Sequence, residues 1–207
     1  MPDAPSLAAI HWGSIGTLLL VSAALMGSPG PVTVSLVAAG STGGIGRSLL
    51  YLLGTVAGSE VVLVAVATGV TAALLAVPAL GAVLVWASVA YILWLAYHIA
   101  TAPPLSAAGP AATAFSFAGG AVLGVANPKA WVAMAAVFAS SRLADAAAAD
   151  AAAKVVVLTG MSVAILTTWL LVGTSMAPLL RDPRRARVVN AVLAVTVVAA
   201  TALAVLH

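Results

Sequence analysis

Glu60 and Lys129 are ionisable side chains that fall inside long apolar stretches of this 207-residue chain, and Glu60 is the only acid so placed. An ionised side chain at the centre of a bilayer costs about 3 kcal/mol on insertion-derived scales, so each must face a cavity or a partner. A carboxyl that gains and loses a proton at that depth is a candidate proton carrier; the structural alternative for Glu60 is a bond to a neighbouring helix. Lys129 directly follows Asn127-Pro128. A helix restarting at that proline presents free N–H groups and the positive end of its dipole, a setting that favours an anion. The ammonium would reinforce a carboxylate site there. Two plainer roles are snorkelling to the interface and an ion pair with Glu60. Asn127 offers both a donor and an acceptor beside the break.

These residues must be positioned by helices that proline interrupts. One interruption reads Gly27-Ser28-Pro29-Gly30-Pro31, the other Gly124-Val125-Ala126-Asn127-Pro128-Lys129, and a shift of 97 positions lays Gly27 on Gly124 and Pro31 on Pro128. Proline removes a backbone donor and clashes with the preceding turn. Backbone freed at membrane depth is tolerated only where protein or a watery cavity satisfies it. Matched interruptions in corresponding spans point to a transporter's binding site. Pro29, Gly30, Pro31, Asn127, Pro128 and Lys129 are therefore the expected substrate site, with Glu60 as the proton-coupling residue. The carbonyls near Ser28 and Gly30 are candidates for contacting an ammonium or a cation.

Composition allows little else. The chain is 63% hydrophobic and 6% charged, with mean hydropathy +1.19; a soluble domain carries roughly a quarter charged residues. Segments alternating like barrel strands are absent, so an all-α integral membrane protein is expected. The basic residues are too few and scattered for nucleic acid. With no cysteine and three dispersed histidines, no metal or cofactor site is expected. No Walker loop, HExxH or GxSxG motif occurs, which speaks against ATP hydrolysis and intramembrane hydrolysis. No basic residue precedes the first apolar run, so that run is expected to be retained as a span.

Six stretches are long enough to span: about Ile15 to Gly40, Ser48 to Ala73, Pro78 to Thr101, Ala112 to Ser140, Val155 to Leu180 and Val189 to His207. The expected architecture is a single domain over 1–207. Its six transmembrane helices form a 3+3 inverted repeat with broken first and fourth helices. The halves cover about 13–101 and 112–207, joined by a proline-rich linker at 102–111. Ser41 to Arg47 is a polar turn, Arg142 to Lys154 an alanine-rich segment suited to a short interfacial helix, and Arg181 to Arg187 a basic turn. With the N-terminus outside, cytoplasmic loops hold Arg47, Arg181, Arg184, Arg185 and Arg187, and outer loops hold Arg142 and Lys154. That bias places both termini on the outer side.

Thr33 and Ser35 follow the first break, where such hydroxyls usually bond their own backbone. Gly54 with Gly58, and Gly120 with Gly124, form GxxxG steps whose expected use is close helix packing, within the protomer or across a homodimer. Trp86, Tyr91, Trp94, Tyr97 and His98 cluster along the third span; Tyr91 lies deepest and is a candidate to line the cavity.

At these residues the chain resembles the LysE/RhtB family of bacterial amino-acid exporters. The matching pieces are Ser28-Pro29-Gly30-Pro31, Gly46-Arg47, Tyr51-Leu52-Leu53-Gly54 with Gly58, Ala90-Tyr91-Ile92-Leu93, and Gly124 with Asn127-Pro128-Lys129-Ala130-Trp131. They keep the family's order over roughly residues 13 to 140. The resemblance implies a six-span inner-membrane protein that moves amino acids outward in exchange for protons. The chain departs from the pattern at Val32-Thr33, Ser88-Val89 and Val137 to Ser140, which bears on the identity of the substrate.

The expected function is proton-coupled export of amino acids or similar small zwitterions. Lys129 and the helix start at Pro128 would hold the carboxylate. Glu60 and carbonyls near Pro29 and Pro31 would receive the ammonium or the proton. The alternatives are export of inorganic cations, or a non-transporting membrane assembly subunit.

Overall fold

The computed structural model describes residues 11–69, 86, 89–90, 92–94, 96–97, 99–101, 115–178 and 182–206. Every element among them is a helix: α1 (Trp12–Gly27), α2 (Pro31–Ala67), α3 (Phe117–Ala126), α4 (Pro128–Ser140), α5 (Ala147–Met176) and α6 (Pro183–Leu206). By length and composition α2 and α5 can each cross a membrane, and α3 with α4, bent by 60°, makes a third candidate span. Large apolar side chains face outward along these helices; Leu20 is 75% exposed, Val156 72% and Val195 67%. A surface of that kind needs lipid to cover it.

Although its helical bonding is nearly continuous, α2 is not one straight rod. Gly44 takes φ 65°, ψ −176°, which only glycine adopts freely, and the chain doubles back there. Tyr51 Oη donates to Ser35 Oγ at 2.9 Å, whereas residues 16 apart on a straight helix lie roughly 24 Å apart. Ser48 Oγ caps the first arm by donating to Ala39 O at 2.8 Å. The polar turn expected over Ser41 to Arg47 thus contracts to a single glycine. Its arms are residues 31–43 and 45–67.

Both proline interruptions end one helix and start another. Pro31 and Pro128 each occupy the first turn of the following helix, and the residues before them are extended: Gly30 at φ −167°, ψ 179° and Asn127 at φ −76°, ψ 106°. Proline sterically pushes its predecessor out of the helical region, so the breaks follow directly from the sequence.

Boundaries elsewhere differ from expectation. The second arm of α2 ends at Ala67, where Gly69 turns to φ 73° and its N–H bonds Val66 O at 3.1 Å; the expected end near Ala73 lies outside the described residues. No separate interfacial helix forms over Arg142 to Lys154. Residues 141–146 are non-helical and the alanine run is the start of α5, since nothing in Ala147 to Val155 breaks a helix. Lys154 is consequently no loop residue: it is buried, pairs with Asp150 Oδ2 at 2.8 Å and lies over the Phe138 ring at 4.9 Å. α6 begins earlier than Val189, with Asp182 Oδ1 accepting from the N–H groups of Arg184 and Arg185.

The GxxxG steps interlock inside the chain. A Cβ added at Gly58 would lie 2.3 Å from Ala121 O, and one at Gly120 would lie 2.4 Å from Tyr51 O. The second arm of α2 therefore touches α3 backbone to backbone, which small residues permit, and these steps are spent on packing within one chain. Across the other side, the first arm of α2 meets α5, where Gly40 abuts Leu170 O and Gly173 abuts Val37 O. Every residue from Pro31 to Ser41 is buried in that setting.

Candidate functional site

The two breaks, about a hundred residues apart in sequence, meet. Lys129 Nζ reaches across from α4 and donates to the carbonyls of Ser28 and, at 3.3 Å, Pro29. These carbonyls are freed where α1 ends, and a cation is favoured at that negative end of the helix dipole. The lysine stem runs tight against Gly30, where an added Cβ would lie 2.8 Å from Lys129 Cδ. The absent side chain at Gly30 is thus what lets the lysine through.

Two tryptophans cover further carbonyls at the breaks. Trp169 Nε1, from α5, donates to Gly27 O at 3.2 Å; Trp131 Nε1, from α4, donates to Val125 O at 2.7 Å. Thr33 closes the start of α2: its Oγ1 accepts from Gly30 N at 2.8 Å and donates to Gly30 O at 3.0 Å. Backbone groups that proline released at depth are therefore taken up by protein donors, as a low-dielectric setting demands.

A cavity of about 50 Å³ opens beside the junction. Gly30, Val32 and Thr33 line it from the first break, Asn127, Lys129 and Ala130 from the second, Ser59 from the second arm of α2, and Ser162, Ile165 and Leu166 from α5, with Met26, Ala133 and Met134 completing it. Asn127 Oδ1 and Ser162 Oγ are buried and find no protein partner. Unpartnered polar atoms at an otherwise apolar cavity are the places where water or a ligand binds.

Glu60 stands beside this cavity rather than in its lining. Its Oε2 accepts from Thr159 Oγ1 of α5 at 2.5 Å, and its Oε1 is buried without a partner. Thr159 lies one helical turn from Ser162, on the same face, and Ser59, next to Glu60, lines the cavity. The ion pairs among the described residues are His11–Asp145 and Lys154–Asp150. Lys129 and Glu60 thus each have another partner.

The structure brings Gly30, Asn127 and Lys129 to one cavity and sets Pro29 against the lysine; Pro31 and Pro128 begin the helices behind it. Tyr91 lies outside the described residues, as does His98. Trp86, Trp94 and Tyr97 are exposed, while Ile92, Ala96 and Ile99 are buried on the opposite face. Sequence reasoning passed over Ser59, Thr159, Ser162 and Trp169. The one signal for the α5 pair was a hydroxyl at i and i+3 deep within an apolar run.

No curated protein and no solved structure matches the chain. A family model described as LysE type translocator matches residues 23–206, taking in both breaks, the glycine-packed arms and every residue of the cavity. On that match the chain belongs to the LysE type translocator family, and it is a membrane exporter of small molecules.

Proposed function

We propose that the protein exports amino acids or similar small zwitterions, driven by counter-movement of protons, through the cavity where the two breaks meet. The observation that carries this reading is the Lys129 contact with Ser28 and Pro29 beside the unpartnered Asn127 Oδ1 and Ser162 Oγ. Together they offer an ammonium and neutral polar groups lining one pocket, with a cation-accepting carbonyl pair behind the ammonium. Charges of both signs on one small solute fit that inventory. Among the described residues no three His, Cys, Asp or Glu side chains gather, so the donor set favours an organic ion over a bare metal.

Glu60 is the proton carrier in this scheme. Its carboxyl, tied to Thr159, communicates with the cavity through Ser59 and Ser162 on the adjoining faces. A space of about 50 Å³ admits a few waters. An amino acid requires it to widen, as alternating access demands.

The proposed architecture is one domain of six spans in a 3+3 inverted repeat. α1 with the first arm of α2 is one broken span, and α3 with α4 its counterpart; the arms after the breaks, 31–43 and 128–140, stand 97 residues apart at both ends. Lys154 lies buried two turns into α5, whereas Arg47, Arg184, Arg185 and Arg187 sit at the starts of their helices, so the flanking count, with Arg181, becomes five against Arg142 alone. This bias supports both termini on the outer side of the inner membrane.

The test is the purified chain in liposomes with an imposed pH gradient and a panel of labelled amino acids. At least one small amino acid should move faster when protons are driven in the opposite direction, and Glu60→Gln should abolish that acceleration while still inserting. A Glu60→Gln protein that responds to the gradient like the wild type overturns the proton role. A panel in which nothing moves overturns the substrate class.

A further inference from the structure

The carbonyls of Ser28 and Pro29 form a cation nest, and the chain fills it with its own lysine. An ammonium has three donors. Two of those on Lys129 point to these carbonyls, while the same side chain lines the cavity. Its stem passes close over Gly30, where the absence of a side chain leaves it room. Asn127 and Ser162, 6% and 2% exposed, keep an acceptor and a hydroxyl open in the same space.

We propose that this nest is the subsite for the substrate's ammonium, and that Lys129 is its internal stand-in while the carrier is empty. The arriving primary ammonium displaces Lys129 Nζ from Ser28 and Pro29. The released lysine then turns to the carboxylate of the same molecule. The proposal rests on the zwitterion reading above and specifies how both charges are met.

Exchange of one ammonium for another leaves no carbonyl bare and adds no net charge to the nest, which a low-dielectric site requires. A carboxylate alone would draw the lysine away and strip the carbonyls. An alkylammonium alone would displace the lysine and leave it unpaired. Only a molecule bearing both charges satisfies every group. Lysine has a flexible four-carbon stem, so the swing needs no backbone change. Because nest and lysine are neighbours, the two charges should sit on one carbon, which favours α-amino acids over long ω-amino acids. The resident ammonium also keeps stray organic cations out of the empty carrier.

The chain has two lysines, Lys129 and Lys154, so ¹⁵N-lysine NMR of the full-length wild-type protein in nanodiscs reads the exchange without a variant. Alanine should shift the Lys129 ammonium signal and leave that of Lys154 in place, while acetate or ethylammonium at the same concentration should do far less. In liposomes the wild type should exclude ethylammonium. Lys129→Met, which empties the nest, and Gly30→Ala, which pushes the intact lysine aside, should each admit it roughly tenfold faster, the scale of losing a charged hydrogen bond. An unmoved Lys129 signal under conditions where alanine is transported overturns the proposal. So does exclusion of ethylammonium by both variants when they insert with native helicity. If both variants admit ethylammonium but the wild type transports no amino acid, the nest stands and the zwitterion reading falls.

Discussion

Thr159 is the side chain through which Glu60 meets α5, and it is the only described donor to that carboxyl. Thr159→Val keeps the shape and removes the hydroxyl, leaving the carboxylate short of a partner at depth. A hydrogen bond to a charged group is worth about 1.5–3 kcal/mol. The expected outcome is a pH profile of transport displaced from that of the wild type, with amino-acid affinity altered much less; liposome flux measured across external pH reads both. Unchanged pH dependence would reduce Thr159 to a packing residue. The proline-bearing residues were readable from sequence because proline acts on its immediate neighbours. The partner of Lys129 was not, since that contact joins atoms a hundred positions apart and depends on how α1 and α4 cross. The sequence alone sets the lysine against a carboxylate at its own helix start, whereas its ammonium lies on the far side of the junction, on the carbonyl end of α1.

Helix ends show the same division. Pro31 and Pro128 fix starts, and Asp182 with Pro183 fixes a third. Alanine-rich sequence fixes no boundary, which is why α5 reaches back to Ala147 through a stretch expected to form a separate short interfacial helix. Gly44 and Gly69 stop helices by conformation, a property that composition cannot distinguish from the packing role of Gly54, Gly58, Gly120 and Gly124. Gly58→Ala places a methyl against the α3 backbone, with Ala121 O at 2.3 Å. Overpacking of this kind costs about 1–3 kcal/mol, so thermal unfolding in detergent should occur at a lower temperature. Gly46→Ala, in open space, is the control. At the start of α6, the N–H groups of Arg185 and Arg184 hold the Asp182 carboxyl below its usual range. A depressed carboxyl stabilises the charged, folded form above its unfolded value of about 4 and loses that contribution as pH falls below it. Protection of the Arg184 and Arg185 amides, taken relative to their intrinsic exchange at each pH, should therefore be greatest near neutrality and fall on acidification below about pH 4; Asp182→Asn should flatten that dependence.

The assembled molecule forms a half-open cavity, lined mainly by apolar side chains with a few polar groups, built from both halves and too small for its proposed cargo. Transport then requires α1 and α4 to part, and Met26 and Met134, one on each, flank the gap with flexible side chains. The native chain lacks cysteine, so a Met26→Cys, Met134→Cys double variant can be joined by a short bifunctional thiol reagent without background. Flux should fall on cross-linking and return when a cleavable linker is reduced, while either single variant stays insensitive. Full activity in the joined protein would place the moving parts elsewhere. The indole of Trp169 has a further use in following such movement. It is one of five tryptophans and bonds the carbonyl that closes α1, so any separation at that point exchanges a carbonyl for water and shifts its emission. With the other four replaced by phenylalanine, the carrier would report its own opening as a colour change, in real time and without an attached dye.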